Sequence, residues 1–135
     1  MRRRAALAAL PLSLLAACSA TDPLGADLSR QPVRVVFFED DSIALREQAL
    51  AVVQDAAQVA ARYPGQVVRV MGFVAPDPTH APSVALSRAR AEHVAAELAR
   101  FGVPRGRIQI QGRGAVPFQS AEVESRRVEI HIGPA

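Results

Sequence analysis

Apolar residues follow a strand-like pattern in four segments of the chain. The segment 33–38 is rich in β-branched and aromatic residues, and 66–71 contains three valines that are available to a core. In 108–111 and 128–132 apolar and polar residues alternate, which is typical of a strand with one buried and one solvated face. We therefore predict four strands at these positions.

Two further segments carry apolar residues at intervals of three and four, the period of an amphipathic helix. Asp41 or Ser42 can cap the first helix, and Pro64 and Gly65 stop it. Its predicted buried stripe is Leu45, Ala49, Val52, Val53, Ala56, Val59, Ala60 and Tyr63. The second helix is predicted over 83–101, with Gly102 as its C-terminal cap. Its predicted stripe is Ala91, Val94, Ala95, Leu98 and Phe101.

The order of these elements predicts an α/β fold, a two-layer α+β sandwich. Loops are predicted over 72–82, which contains three prolines, and over 112–125. The order β-α-β-α-β-β then places two helices on one face of a four-stranded mixed sheet. A domain over 33–133 is large enough to bury a core without a metal ion or disulfide bonds.

The N-terminus has the features of an export signal that ends in a cysteine. Arg2, Arg3 and Arg4 precede an apolar stretch of about 13 residues, which is too short to span a bilayer. The stretch ends in the sequence Leu-Ala-Ala-Cys at 15–18, which resembles a bacterial lipobox. That resemblance implies removal of the signal peptide 1–17 and attachment of diacylglycerol and a further acyl chain, such as palmitate, to Cys18.

The residues around the expected cleavage site indicate where the chain is held. By the enteric sorting pattern, Ser19 after the lipidated cysteine favours the outer membrane, with the domain in the periplasm. The segment 18–32 is rich in small residues and lacks periodicity, so we predict a flexible tether. Two acyl chains would anchor such a protein stably. The alternative is an ordinary secretory signal with a chance cysteine near its end.

Composition and charge exclude several classes of function. The 135 residues suggest one domain, and 50% hydrophobic with 21% charged residues is a globular composition. Removing Arg2 to Arg4 lowers the 16 basic residues to 13, against 13 acidic ones, so the processed chain is near neutral and a nucleic-acid partner is not expected. The single cysteine excludes an intrachain disulfide and a Cys-rich zinc site.

Five short sequence motifs occur in order within the predicted domain. They are VVFFEDDS at 35–42, LSRARA at 86–91, FGV at 101–103 followed by RI at 107–108, the residues Gly112, Gly114 and Pro117, and SRRVEI at 125–130. Together they are similar to the OmpA-like C-terminal domain, the peptidoglycan-associating module also found in Pal lipoproteins and in MotB. The resemblance covers about 33–132, and a lipobox in front of it fits the Pal arrangement.

The resemblance implies a ligand and a first binding residue. In that family the ligand is the peptide stem of peptidoglycan, typically diaminopimelate, which carries an ammonium and a carboxylate on one carbon. A guanidinium can hold such a carboxylate in a bidentate fork. The family's guanidinium corresponds to Arg90, which a helical wheel places about 80° from the centre of the buried stripe. At that margin the side chain can reach a site at the rim, or it is a solvated surface arginine.

The family's acidic residue is missing from its usual place. The motif G-H-T-D becomes Gly72-Phe73-Val74-Ala75, with alanine at the aspartate position. Asp77, two residues further on, can replace the missing ammonium partner, and so can Asp41 and its neighbours Glu39 and Asp40. Asp77 can equally be a turn residue.

Arg126 corresponds to a family arginine that lies near the ligand pocket. Ser125 replaces the asparagine that precedes it in the family, and the loop 117–125 is about five residues shorter than usual, which predicts the loss of a short helix. Strand alternation points Arg126 towards the core and Arg127 away from it. A structural ion pair with Glu122, Glu124 or an acid of the first strand is an alternative to a ligand contact.

The rest of the sequence favours binding over catalysis. His80, His93 and His131 are predicted on a loop, a polar helix face and an exposed strand face, respectively. We expect all three to be solvated, and no pair of them has the spacing of a metal site. We find no nucleophile elbow, acid pair or phosphate loop, so we expect neither an enzyme nor a cofactor. The sequence therefore predicts an outer-membrane lipoprotein whose domain binds peptidoglycan without covalent attachment and links the membrane to the cell wall. The alternative is a degenerate domain, with an apolar groove lined by Phe73 and Val74, that serves as a scaffold for other envelope proteins.

Overall fold

The computed structural model describes residues 31–77 and 84–134. The strands are β1 (Arg34–Phe37), β2 (Val68–Val74), β3 (Ile108–Ala115) and β4 (Arg127–Ile132), and the helices are α1 (Glu47–Arg62) and α2 (Val84–Arg100). The predicted signal peptide, Cys18, most of the tether and residues 78–83 of the second loop lie outside the described residues.

The four strands form one mixed sheet in the order β1-β4-β2-β3. The central strand β4 is antiparallel to both β1 and β2, whereas β2 and β3 run parallel and are joined through α2. Both helices pack on one face of this sheet. The predicted two-layer architecture is confirmed.

The core lies between the sheet and the two helices. Its fully buried strand residues Val36, Val70, Val128 and Ile130 alternate with residues of the open face, as the strand period requires. The predicted stripes are buried at Val53, Ala56, Val59, Ala60, Tyr63, Ala91, Val94, Ala95 and Leu98. Phe101 was wrongly assigned to the stripe: it follows the last residue of α2 and remains exposed.

Two glycines bring α2 unusually close to the sheet. A Cβ at Gly72 would lie 1.8 Å from the carbonyl oxygen of Ser87, and one at Gly112 would lie 2.8 Å from Cβ of Arg88. Both glycines occupy core-facing strand positions, two residues after Val70 and Ile110. Because no side chain stands there, the first half of α2 lies directly on the strand backbone.

Helix α1 begins later than predicted. Asp41 and Ser42 do not cap it; the residue before the helix is Arg46, which makes no side-chain cap hydrogen bond. Instead, Asp41 has φ of 49° within a turn closed by the Ser42 N–H on the Glu39 carbonyl. The Ser42 hydroxyl accepts from the N–H of Ala44, so the capping chemistry of this residue serves the turn.

Two segments predicted as loops belong partly to strands. β2 continues through Val74 and β3 to Ala115, because Gly72 pairs with Gly112 and Val74 with Ala115 in the parallel ladder, with a register shift between the two pairs. The loop before β4 does contain one helical turn, of the 3-10 type, at Glu122–Glu124. The prediction that this loop lacks a helix was therefore wrong. The predicted cap Gly102 is confirmed: it has φ of 101°, and the N–H of Val103 bonds to the Leu98 carbonyl.

The ends of the elements form two poles that differ in side-chain charge. The acidic pole consists of 38–46, 74–77 and 115–127. The basic pole consists of 31–33, 62–68, 100–108 and 132–134. The acidic pole carries six acidic residues and three arginines, and the basic pole carries four arginines and no acidic residue. Within the described residues, no helix is long and apolar enough to cross a bilayer.

Candidate functional site at the acidic pole

The side chain of Arg90 runs from α2 to the acidic pole and is sealed inside the protein. The residue is 1% exposed, and its guanidinium donates to three backbone carbonyls. Nε bonds to Ser42 at 2.9 Å, Nη1 to Phe73 at 3.2 Å and Nη2 to Glu39 at 3.1 Å. The guanidinium also lies 5.2 Å from the centre of the Phe38 ring. The expectation that Arg90 sits open at the rim of the helix packing is wrong.

The close packing of α2 explains why the helical wheel misplaced Arg90. Ser87, Arg90, Ala91 and Val94 form one continuous buried face, because the backbone at Gly72 lets the helix sink onto β2. The hydroxyl of Ser87 is used there as well, accepting from the N–H of Gly114 at 3.0 Å. A stripe defined by apolar residues alone could not include Ser87 and Arg90. The signal in the sequence was the pair of glycines at core-facing strand positions.

Burial and nearby charges of both signs act on the pKa of Arg90. Burial lowers the pKa of Arg90 from its ordinary value, and the nearby charge of Arg126 lowers it further. Asp41 and Asp40 act in the opposite direction and favour the charged form. The structure therefore places Arg126 and Asp41 near enough to Arg90 for their charges to act on its guanidinium.

Arg126 points towards the core, as predicted, and holds the same loop as Arg90. Its Nε donates to the Phe38 carbonyl at 3.2 Å, and Nη1 lies 2.7 Å from an oxygen of Asp40 and 3.2 Å from one of Glu122. The predicted alternative, an ion pair with Glu122 or an acid that follows the first strand, is present. About a sixth of this side chain (16%) remains exposed, so Arg126 is more accessible than Arg90.

The acidic residues of the cluster differ in how they are used. Asp40 pairs with Arg126, and the exposed Glu39 pairs with Arg46 at 3.0 Å. Asp41 is exposed and forms no ion pair within the described part of the chain. Asp77 is also exposed and is the last described residue before α2, where the structure resumes at Val84. Asp41 is therefore the carboxylate of this loop that is open to a ligand.

A second charged group lies on the open face of the sheet. Arg127 stacks 4.5 Å from the centre of the Phe73 ring, and its Nε donates to Glu129 at 2.8 Å. His131 bonds to the other oxygen of Glu129 at 2.9 Å. Burial acts to raise the pKa of Glu129, but the hydrogen bonds from His131 and Arg127 outweigh it and hold that pKa below its ordinary value. Arg127 does point away from the helices, as predicted, but it is partly buried by these contacts.

Two predictions about exposed side chains are corrected by these contacts. Phe73 and Val74 are 8% and 4% exposed, so they do not line an open apolar groove. His131 is bonded to Glu129, and Nδ1 of His93 contacts the carbonyl of Ile43, so neither is simply a solvated histidine. The contact of His93 adds another link between α2 and the segment that follows β1.

The loop that leads to β4 is organised by Glu124. Its carboxylate accepts the backbone N–H groups of Gln119 at 3.0 Å, Ser120 at 3.2 Å and Ala121 at 3.3 Å. The hydrogen bond from Gln119 is the largest cause of a lowered pKa at Glu124. Glu124 is therefore occupied by backbone and is not the partner of Arg126.

The cluster can offer a buried positive charge, a partly exposed guanidinium and an open carboxylate: Arg90 and Arg126 bond to backbone carbonyls of 38–42, the loop that carries Asp41. This combination suits a ligand that carries an ammonium and a carboxylate close together. Within the described residues, no group of three or more His, Cys, Asp or Glu residues is placed to hold a metal ion.

Comparisons with known proteins agree with this architecture. The chain is 35% identical over 108 residues to an "Outer membrane protein" of Gluconacetobacter diazotrophicus, a match that covers 71% of this chain but only 29% of that protein. The chain thus spans less than a third of the length of this curated relative.

Solved structures share the fold at low sequence identity. The peptidoglycan-associated lipoprotein of Burkholderia pseudomallei matches with a TM-score of 0.65 and 24% identity, over 73% of this chain and 89% of that one. The OmpA-like domain of FopA1 from Francisella tularensis matches with a TM-score of 0.67 and 19% identity, over 76% of this chain and 72% of that one. The C-terminal domain of Helicobacter pylori MotB matches with a TM-score of 0.65 and 22% identity, over 73% of this chain and 84% of that one. The model of the OmpA family matches residues 37–129, and the chain belongs to that family of structural and binding proteins, which are not enzymes.

Proposed function

We propose that this chain is an outer-membrane lipoprotein whose domain binds peptidoglycan without covalent attachment and so links the membrane to the cell wall. The observation that carries the proposal is the cluster at the acidic pole. There the arginine of the LSRARA motif, Arg90, holds the loop that presents Asp41, and Arg126 lies beside them. Family membership and the likeness to a peptidoglycan-associated lipoprotein support it.

The ligand in this proposal is the diaminopimelate of a stem peptide. Asp41, helped by Asp77, takes the ammonium, and Arg126 takes the carboxylate. Arg90 keeps the loop carbonyls in place and adds its charge from inside the protein, with three of its five N–H groups already used by backbone. This role differs from a direct fork on the ligand, because the guanidinium is buried.

The membrane half of the proposal rests on the N-terminal sequence. Lipid on Cys18 would hold the chain in the outer membrane, with residues 19–32 between lipid and domain and the domain in the periplasm. The outer-membrane relative supports a place in the cell envelope. Many anchored copies that face one polymer gain by multivalency, so each site needs only modest affinity.

Retention on purified sacculi tests the wall-binding half. The chain from Ser19 onward, which lacks the lipidated cysteine, should co-sediment with sacculi. Asp41→Asn should weaken retention about tenfold to a hundredfold, because a charge-assisted hydrogen bond contributes about 1.5–3 kcal/mol. Asparagine accepts a positive φ readily, so the turn is preserved.

Arg126→Gln should weaken retention in the same way, while Arg88→Gln is the matched control. Arg88 lies two residues from Arg90 on α2, but its side chain is exposed, and its ion pair among the described residues is with Glu92. Circular dichroism melts of each variant separate loss of binding from loss of fold. Equal retention of the wild type and Asp41→Asn would contradict the proposed site.

One observation favours a second function, a scaffold for other envelope proteins. The guanidinium of Arg90 is satisfied by backbone carbonyls of its own fold, so the cation of the family motif serves the structure. If the wild-type chain is not retained by sacculi but co-purifies with an envelope protein, the scaffold is the better description.

A further inference from the structure

The basic pole is the end of the domain from which the N-terminal chain leaves. β1 is antiparallel to β4, and Arg34 at the start of β1 lies opposite Ile130 near the end of β4. Residues 31–33 therefore enter the domain at the basic pole, while the loop 38–42 lies at the acidic pole. Only 12 residues separate the described chain from Cys18, and they span at most about 40 Å.

The arginines of the basic pole are available to a partner outside the domain. Arg62 and Arg105 are exposed and form no ion pair within the described residues. Arg100 is exposed as well, although it bonds to Glu97 at 3.0 Å. The fourth arginine, Arg107, is used inside the fold, where it donates to the carbonyls of Ala60, Tyr63 and Gln66.

Apolar side chains are also exposed at the basic pole. Phe101 is 39% exposed at the end of α2, and Val67 is 38% exposed at the start of β2. Guanidinium groups next to an exposed aromatic ring match the interface of an anionic bilayer, where phosphates lie above the acyl chains. The opposite pole, with its excess of acidic residues, would be repelled by the same surface.

We propose that the basic pole rests on the anionic phospholipid headgroups of the membrane to which the chain is tethered. The contact orients the domain: Arg62, Arg100 and Arg105 face the lipid, and the cluster around Asp41 faces the wall. This inference rests on one part of the proposed function, the lipid anchor. It does not need the wall-binding part, because the affinity of the basic pole for anionic lipid does not depend on peptidoglycan.

Vesicle sedimentation tests the contact without the anchor. The chain from Ser19 keeps every described residue, and its core lies wholly between Val36 and Ile132. It should bind vesicles of phosphatidylethanolamine with 30% phosphatidylglycerol (roughly the charge density of an anionic membrane) more tightly than vesicles without phosphatidylglycerol. Added salt should weaken the binding, because exposed charges are screened over about 10 Å at 0.1 M.

A triple variant and a charge-matched control locate the contact. Each arginine near an anionic surface adds about fivefold to binding, so Arg62→Gln, Arg100→Gln and Arg105→Gln together should weaken it about a hundredfold. The control variant changes Arg46, Arg88 and Arg113 to glutamine, which removes the same charge from other exposed positions and should change binding far less. Equal losses in the two variants would overturn the proposal, as would equal binding to the two kinds of vesicle.

A fluorescent reporter gives the orientation directly. The chain contains no tryptophan, so Phe101→Trp and Val84→Trp place single reporters at opposite ends of α2, about 25 Å apart. Anionic vesicles should shift the emission of Phe101→Trp to shorter wavelength and leave Val84→Trp unchanged. A shift at Val84→Trp alone would overturn the orientation. The arginine triple variant should keep its retention on sacculi, so failure of this proposal and failure of wall binding give different results.

Discussion

Removal of the Arg90 guanidinium tests how the acidic pole is held together. Arg90→Met keeps most of the side-chain length but removes the side-chain donor from the carbonyls of Ser42 and Phe73, and it leaves the carbonyl of Glu39 with only the N–H of Ser42. A buried polar group that loses its partner costs about 1–3 kcal/mol, and the loop can expose some of these carbonyls to water. We therefore expect the free energy of unfolding to fall by about 4 kcal/mol. For a domain of this size, that corresponds to a fall in Tm of roughly 15–25 °C.

Urea titration followed by circular dichroism measures this loss, with Arg88→Met as the control. Arg88 is exposed and, within the part of the chain that the structure describes, pairs with Glu92 alone, so the loss of its side chain should cost less than about 1 kcal/mol. The loss for Arg90→Lys should lie between the losses for Arg90→Met and Arg88→Met, because one ammonium cannot reach three carbonyls on two segments with the geometry of a planar guanidinium. A loss below 1 kcal/mol in Arg90→Met would refute the reasoning that this cation holds the loop.

Further predictions concern helix packing and pH. Gly72→Ala should destabilise the fold by about 3 kcal/mol or more in urea titration, because its Cβ would lie 1.8 Å from the Ser87 carbonyl oxygen. The control is Gly65→Ala, whose Cβ would meet nothing within 4 Å and which should change stability by less than about 1 kcal/mol. Equal effects of the two substitutions would contradict the close approach of α2. The lowered pKa of Glu124 means that its stabilisation is complete above the ordinary value of 4.5 and is lost as the pH falls through the lower value in the folded protein. Hydrogen exchange of the amides at 119–121, corrected for intrinsic rates, should therefore lose protection on acidification in the wild type, and Glu124→Gln should have low protection at every pH.

The sequence predicted the architecture because the fold depends on patterns with a definite period. Alternation in β4 and the three- and four-residue spacing in the helices placed Val128, Ile130, Val94 and Leu98 in the core, where the structure has them. The start of α1 was missed because Asp41 and Ser42 are good capping residues in either a helix or a turn. A tertiary contact, the hydrogen bond from Arg90 to the Ser42 carbonyl, accompanies the turn in the structure.

The site was predicted less completely than the fold. The sequence named Arg90, Arg126 and Asp41 as candidate binding residues, and that role stays a prediction; the structure shows that the charges of Arg126 and Asp41 act on Arg90. It could not show that the Arg90 guanidinium is buried, because the depth of α2 depends on backbone contact at Gly72 and not on the helix's own apolar residues. Residue types could not predict which three carbonyls accept from this side chain, because every residue has a backbone carbonyl.

Binding of defined stem peptides tests the central claim most directly. Diaminopimelate carries the carboxylate and ammonium that the cluster around Asp41 and Arg126 would bind, whereas lysine in the same peptide position lacks that carboxylate. Titration of the 15N-labelled chain from Ser19 with both peptides should shift the amides of 39–42 and 126–127 with the diaminopimelate peptide only, and Asp41→Asn should abolish the shifts. Equal shifts with the two peptides, or none with either, would contradict recognition of a zwitterion at the acidic pole.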